Sequence, residues 1–315
     1  MDDKPHKFMI PLEEQLPENP ERASKVIDLE EAGKILAKQK VFGIAGSHSV
    51  DGAMALIRAA IRHGVKDMTL VPPTTCSMSA DLWMAAGVMK KLYLSYVGFE
   101  YLGMAPNFRR AAEDGSVNIV EADEPFIQLG TRAAAGGRPF NVVQYVWEAT
   151  DHPKLNPEIK TVTDPFTGDT VFAIPPLHLD VAIIHAQACD QYGNAQCLGG
   201  NRQEPDKAKA ANMVIIQTDE IVGPDVIEAD AAKTTVPGSL VDYVVHAPYG
   251  AHPTFSSSNY AVDEEHLRLY LKMSRDGQVS EYLDKYVYGP KDHYEYLDLV
   301  GGMKRMDELK RMLAV

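Results

Sequence analysis

Hydrophobic and polar positions along this chain follow two alternating periods. Val41-Phe42-Gly43-Ile44-Ala45-Gly46, Met68-Thr69-Leu70-Val71, Leu92-Tyr93-Leu94-Ser95-Tyr96-Val97 and Val117-Asn118-Ile119-Val120-Glu121 are short apolar-rich runs, the pattern of buried strands. Between them the spacing becomes helical. Asp28-Leu29-Glu30-Glu31 has capping-box spacing and opens a helix to about residue 38. Met54, Ile57 and Ile61 set a helix over 53–63, closed by Gly64. Residues 80–86 form another. Pro106 suits the first turn of a helix through 112, and Pro125 suits the first position of a helix over 126–135. Such alternation implies parallel crossovers and predicts an α/β fold built on an open, doubly wound, mostly parallel sheet.

Residues 136–178 carry Gly136-Gly137 and six prolines (Pro139, Pro153, Pro157, Pro165, Pro175, Pro176), and read as loose chain with a turn at 166–169. Two strand-and-turn segments follow. One runs from Asp180 through an apolar stretch to a turn at Asp190-Gln191-Tyr192-Gly193-Asn194, with a return strand at 195–198. The other runs Val241-Asp242-Tyr243-Val244-Val245-His246 into Pro248-Tyr249-Gly250-Ala251-His252-Pro253. Between them lie a helix over 204–211 and a buried strand over 213–217. Residues 263–313 read as charged amphipathic helix, and 1–25, rich in Pro, Glu and Lys, as an arm; 26–315 form the α/β domain.

Composition changes this picture little. At 45% hydrophobic and 24% charged, the chain is ordinary globular protein. Its net charge of −13 opposes binding to a phosphate backbone, so nucleic acid is excluded as a partner. Three cysteines are too few and too odd for a disulfide framework and suit a reducing cytoplasm. No apolar stretch has the length of a membrane span or the core of a signal peptide.

Several motifs fall short. Gly43-Ile44-Ala45-Gly46 stops before a dinucleotide fingerprint. Ala45-Gly46-Ser47-His48-Ser49 lacks the second Gly of a hydrolase elbow. His178, His185, Cys189 and Cys197 match no compact zinc spacing, and His185 on an apolar strand reads as a core histidine; no metal is expected. Two carboxylates stand out. Glu100 and Glu124 each follow a strand, where ligands bind in open α/β sheets. Glu124 also suits a helix N-terminus, and Glu100 a solvated loop. Arg109-Arg110 fits either phosphate binding or a surface salt bridge. The Pro248–Pro253 turn offers backbone donors for a carbonyl oxygen, or only shapes the fold.

Over roughly residues 26–300 the chain resembles a family I coenzyme A transferase α subunit, most closely the glutaconate type. The resemblance rests on Phe42-Gly43-Ile44-Ala45-Gly46, on Gly98-Phe99-Glu100 with Ala105-Pro106-Asn107-Phe108-Arg109-Arg110, on the Asp180 and Asp242 segments, and on Lys291-Asp292-His293-Tyr294-Glu295-Tyr296-Leu297. It implies a NagB/RpiA/CoA-transferase-like fold, acyl-CoA as substrate, and a homologous β subunit in an α2β2 or larger assembly. It further implies that a glutamate on β is the covalent nucleophile, leaving this chain inactive alone. Gly46, Ser47, His48, Arg109, Gly250 and His252 are the substrate-binding residues expected on that basis, with Glu100 and Glu124 as the carboxylates near the chemistry.

The chain departs from the glutaconate type after its first buried strand. Asp51 stands where that type carries a cation, and Ala53 where it carries Pro, which argues against glutaconate itself. Glu121-Ala122-Asp123-Glu124 is also similar to the α subunit of steroid ring-opening CoA hydrolases. That alternative makes Glu124 a base activating water. A non-catalytic ligand-binding subunit on the same fold is the third reading.

Overall fold

The computed structural model describes residues 23–144, 147–199 and 203–313. No helix among them is long and apolar enough to cross a membrane. In chain order the strands are β1 (Val26–Ile27), β2 (Val41–Ile44), β3 (Met68–Val71), β4 (Thr75–Cys76), β5 (Met89–Leu94), β6 (Tyr96–Val97), β7 (Asn118–Glu121), β8 (Asn141–Val143), β9 (Lys160–Thr163), β10 (Thr170–Ile174), β11 (Leu179–Asp190), β12 (Ala195–Gln196), β13 (Ala211–Val222) and β14 (Tyr243–His246).

The main sheet has the order β1-β14-β13-β11-β2-β3-β5-β7 and is parallel throughout, with β12 antiparallel on β11. Both faces are covered. Val181, Ile183 and Ile215 join Phe42, Leu70 and Trp83 in one core, while Ala182, Ile184 and Ile216 join a second. Near-continuous apolar strands are the sequence signature of such burial. Phe42, Leu70 and Leu92 are fully buried, each contributing about 1.5–3 kcal/mol.

The topology fixes where a ligand can sit. From β2 the chain steps outward through β3, β5 and β7, then returns to lay β11 against the other flank of β2 and continues to β13 and β14. The direction of winding reverses between β2 and β11. The crevice at the carboxyl ends of those strands is the switch point where open α/β sheets bind ligands.

Asp180 and Asp242 secure this arrangement from below. Asp180 Oδ2 accepts from Lys40 N (3.0 Å) and Val41 N (2.9 Å), seating β2 beside β11. Asp242 Oδ2 accepts from Val214 N (2.8 Å), seating β13 beside β14.

Four expectations need correction. The strand over 92–97 is two strands: β5 ends at Leu94, and β6 leaves the main sheet to pair with β4. The stretch 136–178 is not loose chain throughout, because β8, β10 and β9 form an antiparallel three-stranded sheet joined by the turn at Asp164. The helix after β7 starts one position earlier than Pro125 suggested. Asp123 is its N-cap, accepting from Phe126 N, and Glu124 is its first residue. The arm boundary at 25 also moves. Residues 1–22 lie outside the described residues, but Lys25 is already bonded to Gly238 O and Val241 O, and β1 pairs with β14. The stretch 263–313 is largely helical as expected, over Glu264–Arg275, Val279–Leu283, His293–Leu299 and Gly302–Leu313.

Candidate functional site

Because β2, β3 and β5 are neighbours, the three loops leaving their carboxyl ends lie side by side, and they keep pairing beyond the sheet. Thr75 and Cys76 in β4 pair with Tyr96 and Val97 in β6, and His48 bridges to Cys76. His48 N donates to Thr75 O (3.0 Å), and Gly98 N to Cys76 O (3.0 Å). Ser77 Oγ donates to His48 O (2.9 Å), and the Ser47 and Thr75 hydroxyls are 3.1 Å apart.

The result places His48 Nδ1 3.0 Å from Glu100 Oε1, with side chains 37% and 48% exposed. Tyr96 packs near the imidazole, with ring centroids 6.0 Å apart. A side chain at position 98 would run into the Tyr96 hydroxyl, so Gly98 leaves the room that ring occupies. Strain concentrates here. His48 (φ 47°), Asp51 (φ 54°) and Glu100 (φ 52°) are non-glycine residues in the left-handed region. Each such residue costs on the order of 1 kcal/mol, a pattern typical of functional sites. Gly46 (φ 96°) starts the loop, and a Cβ there would lie 2.6 Å from Val50 O.

Asp51, further along the same loop, is turned inward. It is buried, and its carboxylate accepts from Ser257 N (2.9 Å), Ser257 Oγ (2.8 Å) and Gln187 Nε2 (2.9 Å). It thus ties the loop to β11 across the switch point and presents no charge to solvent. Beneath it lies a second buried network. Ser256 Oγ donates to Asp219 Oδ2 (2.7 Å), His185 Nε2 lies 3.0 Å from Ser256 Oγ and 3.3 Å from Asp219 Oδ2, and Gln217 Nε2 donates to His185 Nδ1 (2.9 Å). Burial alone lowers the His185 pKa, but the Asp219 carboxylate outweighs it and holds the imidazole above its ordinary value. The core-histidine reading of His185 describes its surroundings. Burial pushes the Cys76, Cys189 and Cys197 thiols up, away from nucleophilic character. No group of three or more potential metal ligands occurs among the described residues.

The other expected site residues are not brought to His48 and Glu100. Glu124 follows β7, three strands along from β2, and its exposed carboxylate accepts from Gln128 Nε2 (2.8 Å). Its neighbour Asp123 is the more integrated acid, bonded by Trp147 Nε1 and 3.5 Å from His152 Nδ1. Arg109 is exposed and paired with Glu113 at 2.8 Å on its own helix, the surface-bridge alternative. The Pro248–Pro253 turn directs its donors inward: Gly250 N to Asp219 Oδ1 (3.2 Å) and Ala251 N to the Tyr260 hydroxyl (2.9 Å). His252 is buried between Tyr296 (2.8 Å) and Asp263 (3.0 Å), and burial depresses its pKa. Sequence reasoning missed Thr75, Ser77 and Tyr96. Their only signal was position, since each follows or ends a buried strand.

A family model described as Coenzyme A transferase matches residues 29–247. A protein of unassigned function from Archaeoglobus fulgidus is 38% identical over 93% of this chain, which spans 66% of that relative's length. A 3-oxoadipate CoA-transferase subunit of Pseudomonas knackmussii is 34% identical, over 75% of this chain and 84% of its own. The cholesterol ring-cleaving hydrolase IpdA subunit of Rhodococcus jostii is 29% identical, over 87% and 95%. The crystal structure of glutaconate coenzyme A-transferase from Acidaminococcus fermentans superposes with a TM-score of 0.86 at 28% identity, over 91% of this chain and 96% of that one. With its parallel sheet and a match over most of its length, this chain belongs to the coenzyme A transferase family.

Proposed function

We propose that the chain is the α subunit of a heteromeric CoA transferase, moving CoA between an acyl-CoA and a carboxylate. Its partner is a homologous β subunit carrying the catalytic glutamate, in an α2β2 or larger assembly within a reducing cytoplasm. The observation that carries this reading is the half-exposed His48–Glu100 pair beyond the carboxyl ends of β2, β3 and β5, on a family scaffold whose relatives include a CoA-transferase subunit.

In the proposed reaction the partner's glutamate carboxylate attacks the thioester carbonyl. A C–O bond forms, the C–S bond breaks, and CoA leaves as thiolate from an acyl-glutamyl anhydride. The thiolate then attacks the glutamyl carbonyl, releasing the first acid and leaving a glutamyl-CoA thioester. The acceptor carboxylate reverses both steps. Charge develops on the carbonyl oxygen at each addition, and fixed donors aimed at it lower the barrier. His48 is the donor proposed from this chain, with Glu100 orienting its imidazole. Ser47 and Tyr96 hydroxyls contact the acyl group. Arg109, Gly250 and His252 then act in the scaffold rather than on substrate. Co-expression with the β partner, followed by an assay of CoA exchange across a panel of carboxylates, tests this. Absence of exchange with every acid would contradict it.

A second reading has one observation in its favour. The Rhodococcus relative is named a hydrolase subunit, and Glu124 is exposed at the first position of a helix. In that reading Glu124 activates water, and Glu124→Gln abolishes turnover while assembly persists.

A further inference from the structure

The helix Glu204–Ala210 carries a lysine that the proposed chemistry does not employ. Lys207 is fully buried, and its Nζ donates to Val71 O (3.1 Å), Pro72 O (3.1 Å) and Thr131 Oγ1 (3.4 Å). None of these partners is a carboxylate. A buried ammonium without a carboxylate partner is expensive, so its retention calls for a reason.

Two sequence features accommodate it. Pro72-Pro73 has no N–H, and two carbonyls at the end of β3 converge on one donor. Gly43 in β2 leaves room for the lysine stem, since a Cβ there would lie 3.3 Å from Lys207 Cδ and would run into Leu179. The charged or titratable groups facing the ammonium are Asp206 on its own helix, itself bridged by Arg132, and Cys76 on β4.

We propose that Lys207 is a positioning residue for the site. By clamping the end of β3 it sets the Thr75–Ser77 segment, against which the His48 and Glu100 loops are both registered. The route is short. Pro72 lies three residues before Thr75, whose carbonyl accepts from His48 N, while Cys76 O accepts from Gly98 N, two residues before Glu100. Thr131 brings the helix Glu124–Ala135 onto the same clamp. Burial, which lowers the ammonium pKa to about 7, agrees with a group held for geometry at a cost in solvation.

The proposal rests on the transferase reading of this face, and the test separates the two. Lys207→Met and the milder Thr131→Val are compared with the native chain in complex with its β partner. The readouts are steady-state CoA exchange and the NMR chemical shifts of the His48 imidazole at fixed pH. In Lys207→Met, kcat falls about tenfold or more, as loss of positioning does. KM for acyl-CoA stays within about twofold. The His48 signal shifts, and Thr131→Val shifts it less, in the same direction. Unchanged His48 chemical shifts in folded Lys207→Met overturn the proposal, as does a loss confined to KM. If the native complex exchanges no CoA yet His48 responds as described, the positioning role stands and the transferase reading falls.

Discussion

His48 Nδ1 faces Glu100 Oε1 at 3.0 Å, and both residues hold positive φ, 47° and 52°. Neither conformation is a local preference of its residue. The Thr75–Ser77 segment bonds the backbone of His48 and of Gly98, while the Glu100 carbonyl accepts from Gly103 N. A half-exposed contact of this kind adds little to stability, about 0–1 kcal/mol even when both groups are charged. Its cost in backbone strain is therefore better explained by chemistry.

Glu100→Gln tests that directly. The transferase reading predicts a fall in kcat of about tenfold or more, with the melting temperature of the complex nearly unchanged because the side chain is half exposed. Glu124→Gln, in the same assay, leaves exchange within about threefold, since Glu124 bonds only its own helix. The reverse outcome for the two variants favours the hydrolase reading.

Gly46→Ala forces a Cβ to 2.6 Å from Val50 O at φ 96°. Expected are a loss of about 1–3 kcal/mol in urea unfolding and a larger loss of activity, because the displaced loop carries His48.

Lys207 makes stability depend on pH with a definite sign. Its folded pKa, about 7, lies below that of an unfolded lysine, so the unfolded chain binds the proton more tightly. Stability of the native chain should rise as pH increases from about 7 toward the unfolded lysine pKa, about 10.4. Urea midpoints of Lys207→Met across that range should lack this rise.

The His185–Asp219 pair works in the opposite sense at neutral pH. The raised histidine pKa contributes stability that is complete below the unfolded histidine pKa and is lost as pH climbs through the folded value. Asp219, with pKa lowered by His185, Ser256 and Asn259 against the burial that would raise it, contributes above the unfolded carboxylate pKa and loses that stability in acid. Asp219→Asn strands a buried imidazole and should cost about 3–5 kcal/mol, measured by urea unfolding near neutral pH.

How much of this was legible in the chain differs by element. β2 and β3 were plain because each is largely buried and reads as a short apolar-rich run. Asp180 and Asp242 marked the scaffold correctly, and their carboxylates prove to seat neighbouring strands. β9 was missed because it is short and mostly exposed, so Thr161 and Thr163 gave no hydrophobic period, whereas β10 does carry the apolar run Val171-Phe172-Ala173-Ile174 and was passed over among the surrounding prolines, although the turn between them was visible. At the candidate site, Glu100 and the Gly46–His48 loop were singled out by position after a strand. Their mutual contact could not be, because it depends on β3 lying between β2 and β5. Gly250 and His252 looked like site residues because turn composition is the same whether donors face a ligand or, as here, Asp219, Tyr260 and Asp263.

The most direct test of the central claim is a CoA-exchange assay on the chain alone and on the chain co-expressed with its β partner. Native protein and Glu100→Gln are each followed by mass spectrometry of the acyl-CoA products and of any glutamyl-CoA adduct. The account predicts no exchange by the chain alone, exchange and an adduct on the β partner in the complex, and at least about a tenfold loss in Glu100→Gln, as expected for a group acting in the transition state. Hydrolysis of acyl-CoA without transfer to any carboxylate, abolished by Glu124→Gln and indifferent to Glu100→Gln, would contradict it.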